Sequence, residues 1–275
     1  MSPISKEFRL LYWAILGVIV PFGLLLYFFP GGTELYWAWV IPHPRSSILI
    51  GAGYVGAFAY YTLLLRENDW HQALNGMGGL VIFCIVLLIA TFLHWEEFRT
   101  YHITTLVWLI FYYVGPFLVP ILYRLQTQRA AAQSSTTPAS DADGRSSIAQ
   151  GWKVWQAARG FFYLALALFW LVSANTVSTA WPWPINALEL RVFMGQVAII
   201  GWNAVVVLQE RRQWQQFRLG QILTGAIGFM QLIGLFISST TYSWSIGLGI
   251  VLPLMFGEWI ITPLLLLQKY ERAKR

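Results

Sequence analysis

The sequence predicts an all-α integral membrane protein with eight transmembrane helices, arranged as two parallel-topology four-helix repeats with both termini in the cytoplasm. Three observations predict this class. Of the 275 residues, 57% are apolar and only 11% are charged, whereas a soluble domain carries about 25% charged residues. Apolar runs long enough to cross a bilayer recur along the chain, and most basic residues fall on one side of the predicted bundle.

Eight apolar runs define the predicted helices. Each has about 20 residues, which at 1.5 Å per residue cover the roughly 30 Å of hydrocarbon in a bilayer. The first run is too long for a signal peptide, and no small-residue cleavage site follows it, so we expect it to remain as a helix. The predicted spans are 10–29, 47–65, 74–93, 103–122, 154–177, 190–208, 219–237 and 246–267.

Lysine and arginine residues set the expected orientation. With eight crossings, both termini lie on the same side of the membrane. That side holds fifteen of the eighteen Lys and Arg residues, and only Arg45, Arg99 and Arg191 fall on the other. Cytoplasmic loops of membrane proteins carry the excess of basic residues. The sequence therefore predicts cytoplasmic N- and C-termini, and we expect the plasma membrane as the location.

A shift of 144 residues aligns the two halves of the chain without a gap. Comparison of 37–92 with 181–236 gives eleven identities in 56 positions, including Trp37 with Trp181 and Trp39 with Trp183. An even number of helices per copy keeps both copies in the same orientation, as in parallel-repeat transporters. The predicted units are the repeats 1–125 and 152–275, joined by a flexible cytoplasmic linker, 126–151, that is rich in Ser, Thr, Ala and Gln.

A Trp-x-Trp segment follows the first helix of each half, WAWVIPHP at 37–44 and WPWPIN at 181–186. Both segments lie on the predicted outer side. Tryptophan favours the headgroup boundary, and proline ends a helix and forces an extended return. We expect these rings to anchor the bundle at the membrane interface. An aromatic vestibule on the outer face is the functional alternative.

Glu258 is the acidic residue that the sequence places inside a helix. It lies about 13 Å from the cytoplasmic boundary of the last span, near the bilayer midplane. Pro253 and Pro263 flank it, and each removes one backbone donor. We assign Arg159 to the cytoplasmic end of its span and place no Lys or Arg in a helix interior. Glu258 is therefore expected to be protonated and hydrogen-bonded, which suits a proton carrier or a cation site.

Five further polar side chains complete a predicted ladder in the second half. Asn203 and Thr224 are expected roughly 7 Å from the cytoplasmic ends of their helices, Gln196 and Gln231 roughly 18 Å, and Asn175 about 21 Å. With Glu258 they form the candidate binding path for a solute. Interhelical hydrogen bonds, each worth about 1 kcal/mol, are the structural alternative. The 144-residue shift matches four of them to apolar residues of the first half, Ala59, Leu80, Ala52 and Leu87.

The sequence contains no motif for cofactor binding or catalysis. Cys84 is the single cysteine, which excludes an intramolecular disulfide and a cysteine-based metal site. All four histidines lie at span ends or in loops, which argues against haem between helices. The basic residues are scattered and form no nucleic-acid-binding face. We predict no cofactor, no metal, no catalytic residue and no nucleic-acid partner, and an enzyme is the less favoured class.

A carrier or permease is the favoured function, moving a small solute or a proton through the second half with Glu258 as the exchanging group. The bilayer is the first predicted partner. The alternative is a structural or assembly subunit that binds another membrane protein or a second copy of the chain. A lipid-modifying enzyme with Glu258 as general acid ranks third, because no second catalytic group is evident.

Overall fold

The computed structural model describes residues 3–134, 148–208, 214–237 and 247–272. In these residues eight helices are long and apolar enough to cross a membrane, which confirms the prediction of a multi-pass helical protein. Two short helices, α2 and α7, lie between them. The helices are α1 (Lys6–Phe28), α2 (Thr33–Tyr36), α3 (Pro44–Glu67), α4 (Trp70–Leu93), α5 (Ile103–Ser134), α6 (Gln150–Val172), α7 (Ala174–Thr179), α8 (Ala187–Val205), α9 (Trp214–Ile237) and α10 (Leu248–Arg272).

Local capping starts some helices before their apolar runs begin. α3 and α8 each begin three residues earlier than predicted, at Pro44 and Ala187. At α8 the Asn186 side chain accepts a hydrogen bond from the Glu189 backbone N–H at 2.8 Å, and the Glu189 carboxylate accepts one from the Asn186 backbone. This capping box satisfies two backbone donors that the helix itself leaves unpaired.

Two buried arginines lie within these extended helices. Arg45 Nη1 donates to the Leu235 carbonyl at 2.6 Å, in the last turn of α9. Arg191 Nε donates to the Leu171 carbonyl at 3.1 Å, in the last turn of α6. The final carbonyls of a helix lack intrahelical partners and carry partial negative charge, so a guanidinium is stabilised there. Both arginines lie near the N-terminal ends of their helices. The prediction that no Lys or Arg lies in a helix interior is instead wrong at Arg159, which lies within α6.

The fourth long helix continues past its apolar run. α5 extends to Ser134, so the predicted flexible linker, 126–151, is wrong over 126–134, and α6 already begins at Gln150. The Gln126 amide holds this extension against the start of the chain, accepting from the Ser5 backbone N–H at 3.0 Å and donating to the Pro3 carbonyl at 3.1 Å. Residues 135–147 of the linker lie outside the described residues.

The long helices pack in pairs that join the two halves of the chain. Within the halves, α1 packs on α3, α4 on α5, α6 on α8, and α9 on α10. Between the halves, α3 packs on α9 and α4 on α8. In the most apolar part of α8, 83% of the residues are buried, against 22% in α5. α8 is therefore central, and α5 lies at the periphery of the bundle.

Two glycines permit close packing of α6 on α8. A Cβ atom on Gly160 would lie 2.7 Å from the Val205 backbone nitrogen, and one on Gly201 would lie 2.9 Å from the Leu164 backbone nitrogen. Small residues at a membrane helix interface let two backbones approach in this way. This packing of α6 on α8 fixes the position of α6, and α6 carries part of the candidate site.

The Trp-x-Trp segments lie inside the protein. Trp37, Trp39, Trp181 and Trp183 are 0%, 1%, 7% and 3% exposed. The two rings of each segment meet edge to face, with centroids 5.4 Å apart in the first pair and 5.5 Å apart in the second. Trp183 Nε1 also donates to Ser46 Oγ at 3.1 Å, which joins the second half to α3. The expectation that these rings anchor the bundle among lipid headgroups is wrong, because neighbouring aromatic side chains cover them.

Candidate functional site

Glu258 lies on α10 at the centre of a hydrogen-bond network that spans α6 and α10. Its Oε1 atom accepts from Arg159 Nε at 2.6 Å and from Thr262 Oγ1 at 2.7 Å. Its Oε2 atom accepts from Tyr163 Oη at 2.7 Å. α10 runs as one unbroken α-helix through Pro253 and Pro263. Both oxygens of the Glu258 carboxylate therefore accept hydrogen bonds, and the donors come from α6 and α10.

Arg159 is the cation that the sequence interpretation missed. Its side chain is 3% exposed, whereas that of Glu258 is 26% exposed. The guanidinium also lies 5.4 Å from the centre of the Tyr163 ring. The expectation of an acid without a cationic partner is wrong. The reason for expecting Glu258 to be protonated, which was the absence of a cation, no longer applies.

Donors beside this ion pair remain unpaired. Arg159 Nη1 donates to Gln156 Oε1 at 3.3 Å, and the Gln156 side chain is fully buried. Within the described part of the chain, Arg159 Nη2 and Gln156 Nε2 are buried and have no hydrogen-bond partner. Buried polar groups are nearly always paired in proteins, so each exception points to water or a ligand. These two N–H donors suit an oxygen acceptor or an anion.

An open groove of about 850 Å³ between α6 and α10 gives access to Glu258. Lys269 lies toward the end of α10, with its Nζ atom 6.0 Å from the centre of the Trp152 ring. Most of the groove wall is apolar, and part of it is exposed on the outer surface of the bundle. The apolar wall residues include Trp152, Trp155, Leu254, Ile261 and Leu265. The groove thus combines two charged side chains, Glu258 and Lys269, with mostly apolar walls.

Gln196 and Gln231 meet each other at a separate place, where the two halves of the chain pack. Gln231 Nε2 donates to Gln196 Oε1 and to the Leu49 carbonyl, both at 2.8 Å. Gln196 Nε2 donates to the Leu49 carbonyl at 3.2 Å and to the Ile50 carbonyl at 3.3 Å. These amides therefore connect α8 and α9 to α3, and neither lines the α6–α10 groove.

The remaining predicted site residues are dispersed. Asn203 is buried on α8, and its two side-chain polar atoms have no partner among the described residues. Thr224 Oγ1 donates to the Gly220 carbonyl one turn earlier in α9, at 3.0 Å. Asn175 is exposed on the short helix α7. The structure thus brings Gln196 and Gln231 together and leaves Glu258, Asn203, Thr224 and Asn175 in different surroundings.

The spacing of polar residues in α6 could have identified the residues that the sequence interpretation missed. Gln156, Arg159 and Tyr163 are separated by three and four residues, which places them on one face of a helix. Glu258 and Thr262 are four residues apart on α10. Both faces are polar in otherwise apolar helices. The spacing identifies each polar face, but only the packing shows that the two faces meet.

A second polar cluster joins the end of α4 to the start of α8. His94 Nδ1 lies 2.7 Å from Glu97 Oε1, and Asn186 Nδ2 donates to Glu97 Oε2 at 3.2 Å. Arg191 Nη1 contacts His94 Nε2. The described residues contain no group of three or more His, Cys, Asp or Glu side chains that is suited to a metal ion. This cluster therefore connects helix ends from the two halves.

Comparison with protein-family models, curated proteins and solved structures finds no match for this chain.

Proposed function

We propose that the protein is a membrane carrier whose second half binds a proton and an anionic solute at the Glu258–Arg159 pair. The observation that carries the proposal is the buried guanidinium beside a carboxylate that is open to a groove. Among the residues that the structure describes, Arg159 Nη2 and Gln156 Nε2 are buried donors without a partner, and Gln156 contacts Arg159. In this proposal Glu258 takes up and releases the proton, and Arg159 binds the anion.

The coupling between proton and anion follows from charge balance. The pair is neutral when Glu258 is ionised and bonded to Arg159. Protonation of Glu258 leaves the guanidinium without a negative partner in a poorly solvated site, which is unfavourable. An anion that binds Arg159 restores neutrality. Proton uptake at Glu258 therefore raises the affinity for the anion, and anion binding favours the protonated acid to the same extent.

The groove walls favour an amphipathic anion as the solute. Trp155, Leu254 and Ile261 line the groove and are 49%, 68% and 58% exposed. In a bilayer such side chains face hydrocarbon, so a solute with an apolar chain can reach Glu258 from the side. Arg159 is not among the residues that line the groove. With cytoplasmic termini, as the positive-inside rule predicts, Lys269 lies at the cytoplasmic mouth of the groove.

Proton flux into liposomes tests the proposal, with decane sulfonate as the probe. A sulfonate stays ionised at all working pH values, so it carries no proton of its own across the membrane. Reconstituted protein should acidify the interior of dye-loaded liposomes faster when the probe is added under an inward proton gradient. We expect Glu258→Gln and Arg159→Gln each to lower the probe-dependent rate at least about tenfold, or about 1.4 kcal/mol.

Glu96→Gln is the control variant, since Glu96 is exposed and does not line the groove. It should keep the wild-type rate. Wild-type protein that gives no probe-dependent flux above empty liposomes would contradict the proposal. Equal rates for wild type and Glu258→Gln would also do so.

We also propose that the two halves arose by duplication, with 1–125 and 152–275 as the copies. The packing supports this: α1 on α3 corresponds to α6 on α8, and α4 on α5 to α9 on α10. Between the halves, the second long helix of each packs on the third of the other. A two-fold axis along the membrane normal produces this exchange of contacts.

A second candidate function is an assembly subunit, and α5 is the feature that favours it. α5 is the least buried of the eight long helices and exposes Phe117 at 64%. An intact-mass measurement in mild detergent separates the two functions. A co-purifying polypeptide at fixed stoichiometry supports assembly, whereas a small amphipathic anion that is lost in Glu258→Gln supports the carrier.

A further inference from the structure

We propose that the first half holds one hydrocarbon chain of a bilayer lipid in a cavity between α1 and α5. The cavity has a volume of about 360 Å³ and is bounded mainly by α1, α3, α4 and α5. Ligand pockets in proteins typically have volumes of about 300–1,000 Å³. This site lies in the opposite half from Glu258, and the inference does not depend on the carrier proposal.

The cavity walls are apolar in their chemistry. None of the lining residues carries a charge. Tyr54 and Tyr112 both line the cavity, and their hydroxyl oxygens lie 3.0 Å apart, so each hydroxyl has a partner in the wall itself. Gln196, the one amide among the lining residues, is already bonded to Leu49 and Gln231. The walls therefore offer dispersion contacts and no site for an ion.

The cavity opens toward the bilayer, and this identifies its occupant. Ala14 on α1 and Ile110 and Val114 on α5 line the cavity and are also exposed on the outer surface of the bundle. Around a chain with eight membrane-length helices, the medium at this surface is lipid hydrocarbon. A chain that bends inward between α1 and α5 gains contacts with side chains such as Ile15 and Ile19.

Photo-crosslinking tests the occupant directly. The full chain is reconstituted into phosphatidylcholine vesicles that contain a phosphatidylcholine with a diazirine at the end of one acyl chain. We expect crosslinks on the inner wall of the cavity, at Ile15 and Ile19, in addition to the lipid-facing Leu24. Both inner-wall residues are nearly buried, at 6% and 7% exposure, whereas Leu24 is 48% exposed. Crosslinks confined to exposed residues would overturn the proposal.

A cavity-filling variant sharpens the test. Ala57 lines the cavity on α3, so Ala57→Phe should lower crosslinking at Ile15 and Ile19 severalfold and leave that at Leu24 unchanged. Ala158→Phe is the matched control on the exposed face of α6, outside the cavity, and should change neither. Unchanged crosslinking at Ile15 in folded Ala57→Phe would contradict the proposal.

Cys84 provides a second way to fill the cavity if Ala57→Phe fails to fold. It is the only cysteine of the chain and one of the lining residues. A membrane-permeant alkyl methanethiosulfonate forms a mixed disulfide with the Cys84 thiolate and releases methanesulfinate, so it is applied to the folded protein at alkaline pH until the intact mass shows one alkyl group per chain. The modified protein should lose crosslinks at Ile15 and Ile19, and reduction of the mixed disulfide should restore them. Crosslinks that persist after complete modification would overturn the proposal.

Discussion

At the scale of single residues, the Glu258–Arg159 pair is the principal feature of this protein. Either group alone would be unfavourable in a membrane helix, because low dielectric surroundings penalise an uncompensated charge. Together they are neutral, and Tyr163 and Thr262 complete the hydrogen bonds of the carboxylate. The pair also joins α6 to α10. A structural contribution must therefore be separated from a role in binding.

Arg159→Met tests the structural contribution of the pair. The variant leaves the Glu258 carboxylate without its cation, and Glu258→Leu leaves the guanidinium without its anion. We expect each single variant to lower the free energy of unfolding by about 2–4 kcal/mol, near the range known for buried pairs, since Glu258 is partly exposed. The double variant should lose much less than the sum, as measured by unfolding in detergent.

The exposed pair Arg129–Glu7 is the matched control. Its side chains are 53% and 48% exposed, with Nη1 3.0 Å from Oε2. Exposed ion pairs contribute little to stability, so Arg129→Met should leave the unfolding midpoint unchanged. Additive losses from the two single variants at Arg159 and Glu258 would show that the pair is not coupled.

The Gln196–Gln231 contact has a different role at this scale. Gln231→Leu removes one hydrogen bond between the halves, to the Leu49 carbonyl, and one within the second half, to Gln196. We expect it to lower stability by about 0.6–1.7 kcal/mol, from the average to the maximum measured for such bonds in membranes. Thr224→Val is the control, because Thr224 bonds only within α9. It should have a smaller effect in the same unfolding assay. A larger loss for Thr224→Val would contradict the assigned role of Gln231.

At the scale of elements, the contact of α6 with α8 depends on backbone approach. Gly201→Ala places a Cβ atom 2.9 Å from the Leu164 backbone nitrogen, and backbone atoms cannot yield as a flexible side chain can. We expect a loss of about 1–3 kcal/mol, typical of overpacking. The measurement is the unfolding midpoint together with the monodisperse yield in detergent.

Gly17→Ala controls for the change of residue type. A Cβ atom on Gly17 meets no atom within 4 Å, so this variant should be neutral or slightly stabilising, because alanine favours a helix over glycine. Equal effects of Gly17→Ala and Gly201→Ala would show that packing of α6 on α8 is not the cause.

The helices themselves were largely predictable, but their ends were less so. Hydropathy identifies eight long helices because a bilayer requires about 20 apolar residues in each. The ends depend on polar contacts that hydropathy ignores. The capping box at Asn186 starts α8 before its apolar run, and the Gln126 contacts with Ser5 and Pro3 accompany the extension of α5 into the predicted linker.

At the scale of the whole molecule, orientation is the prediction most open to test. Tyr101 is fully exposed between α4 and α5, on the predicted outer side, and Gln128 is exposed near the opposite end of α5. An impermeant maleimide applied to intact cells should label Tyr101→Cys and leave Gln128→Cys unlabelled until the membrane is opened. Cys84 is buried, so wild type provides the background. The reverse pattern would place both termini outside.

The sequence by itself determined the class of protein and the number of long helices, and it predicted a deep acid at Glu258, an orientation and an internal repeat. These properties follow from the composition and the order of the residues, because the positions of apolar runs and of charged residues can be taken directly from the sequence. Only the tertiary structure decided that Arg159 meets Glu258, 99 residues away, that the Trp-x-Trp rings are buried, and that the polar residues of the second half do not share one site. Such contacts depend on how each helix is rotated and which helices are neighbours, and packing sets both.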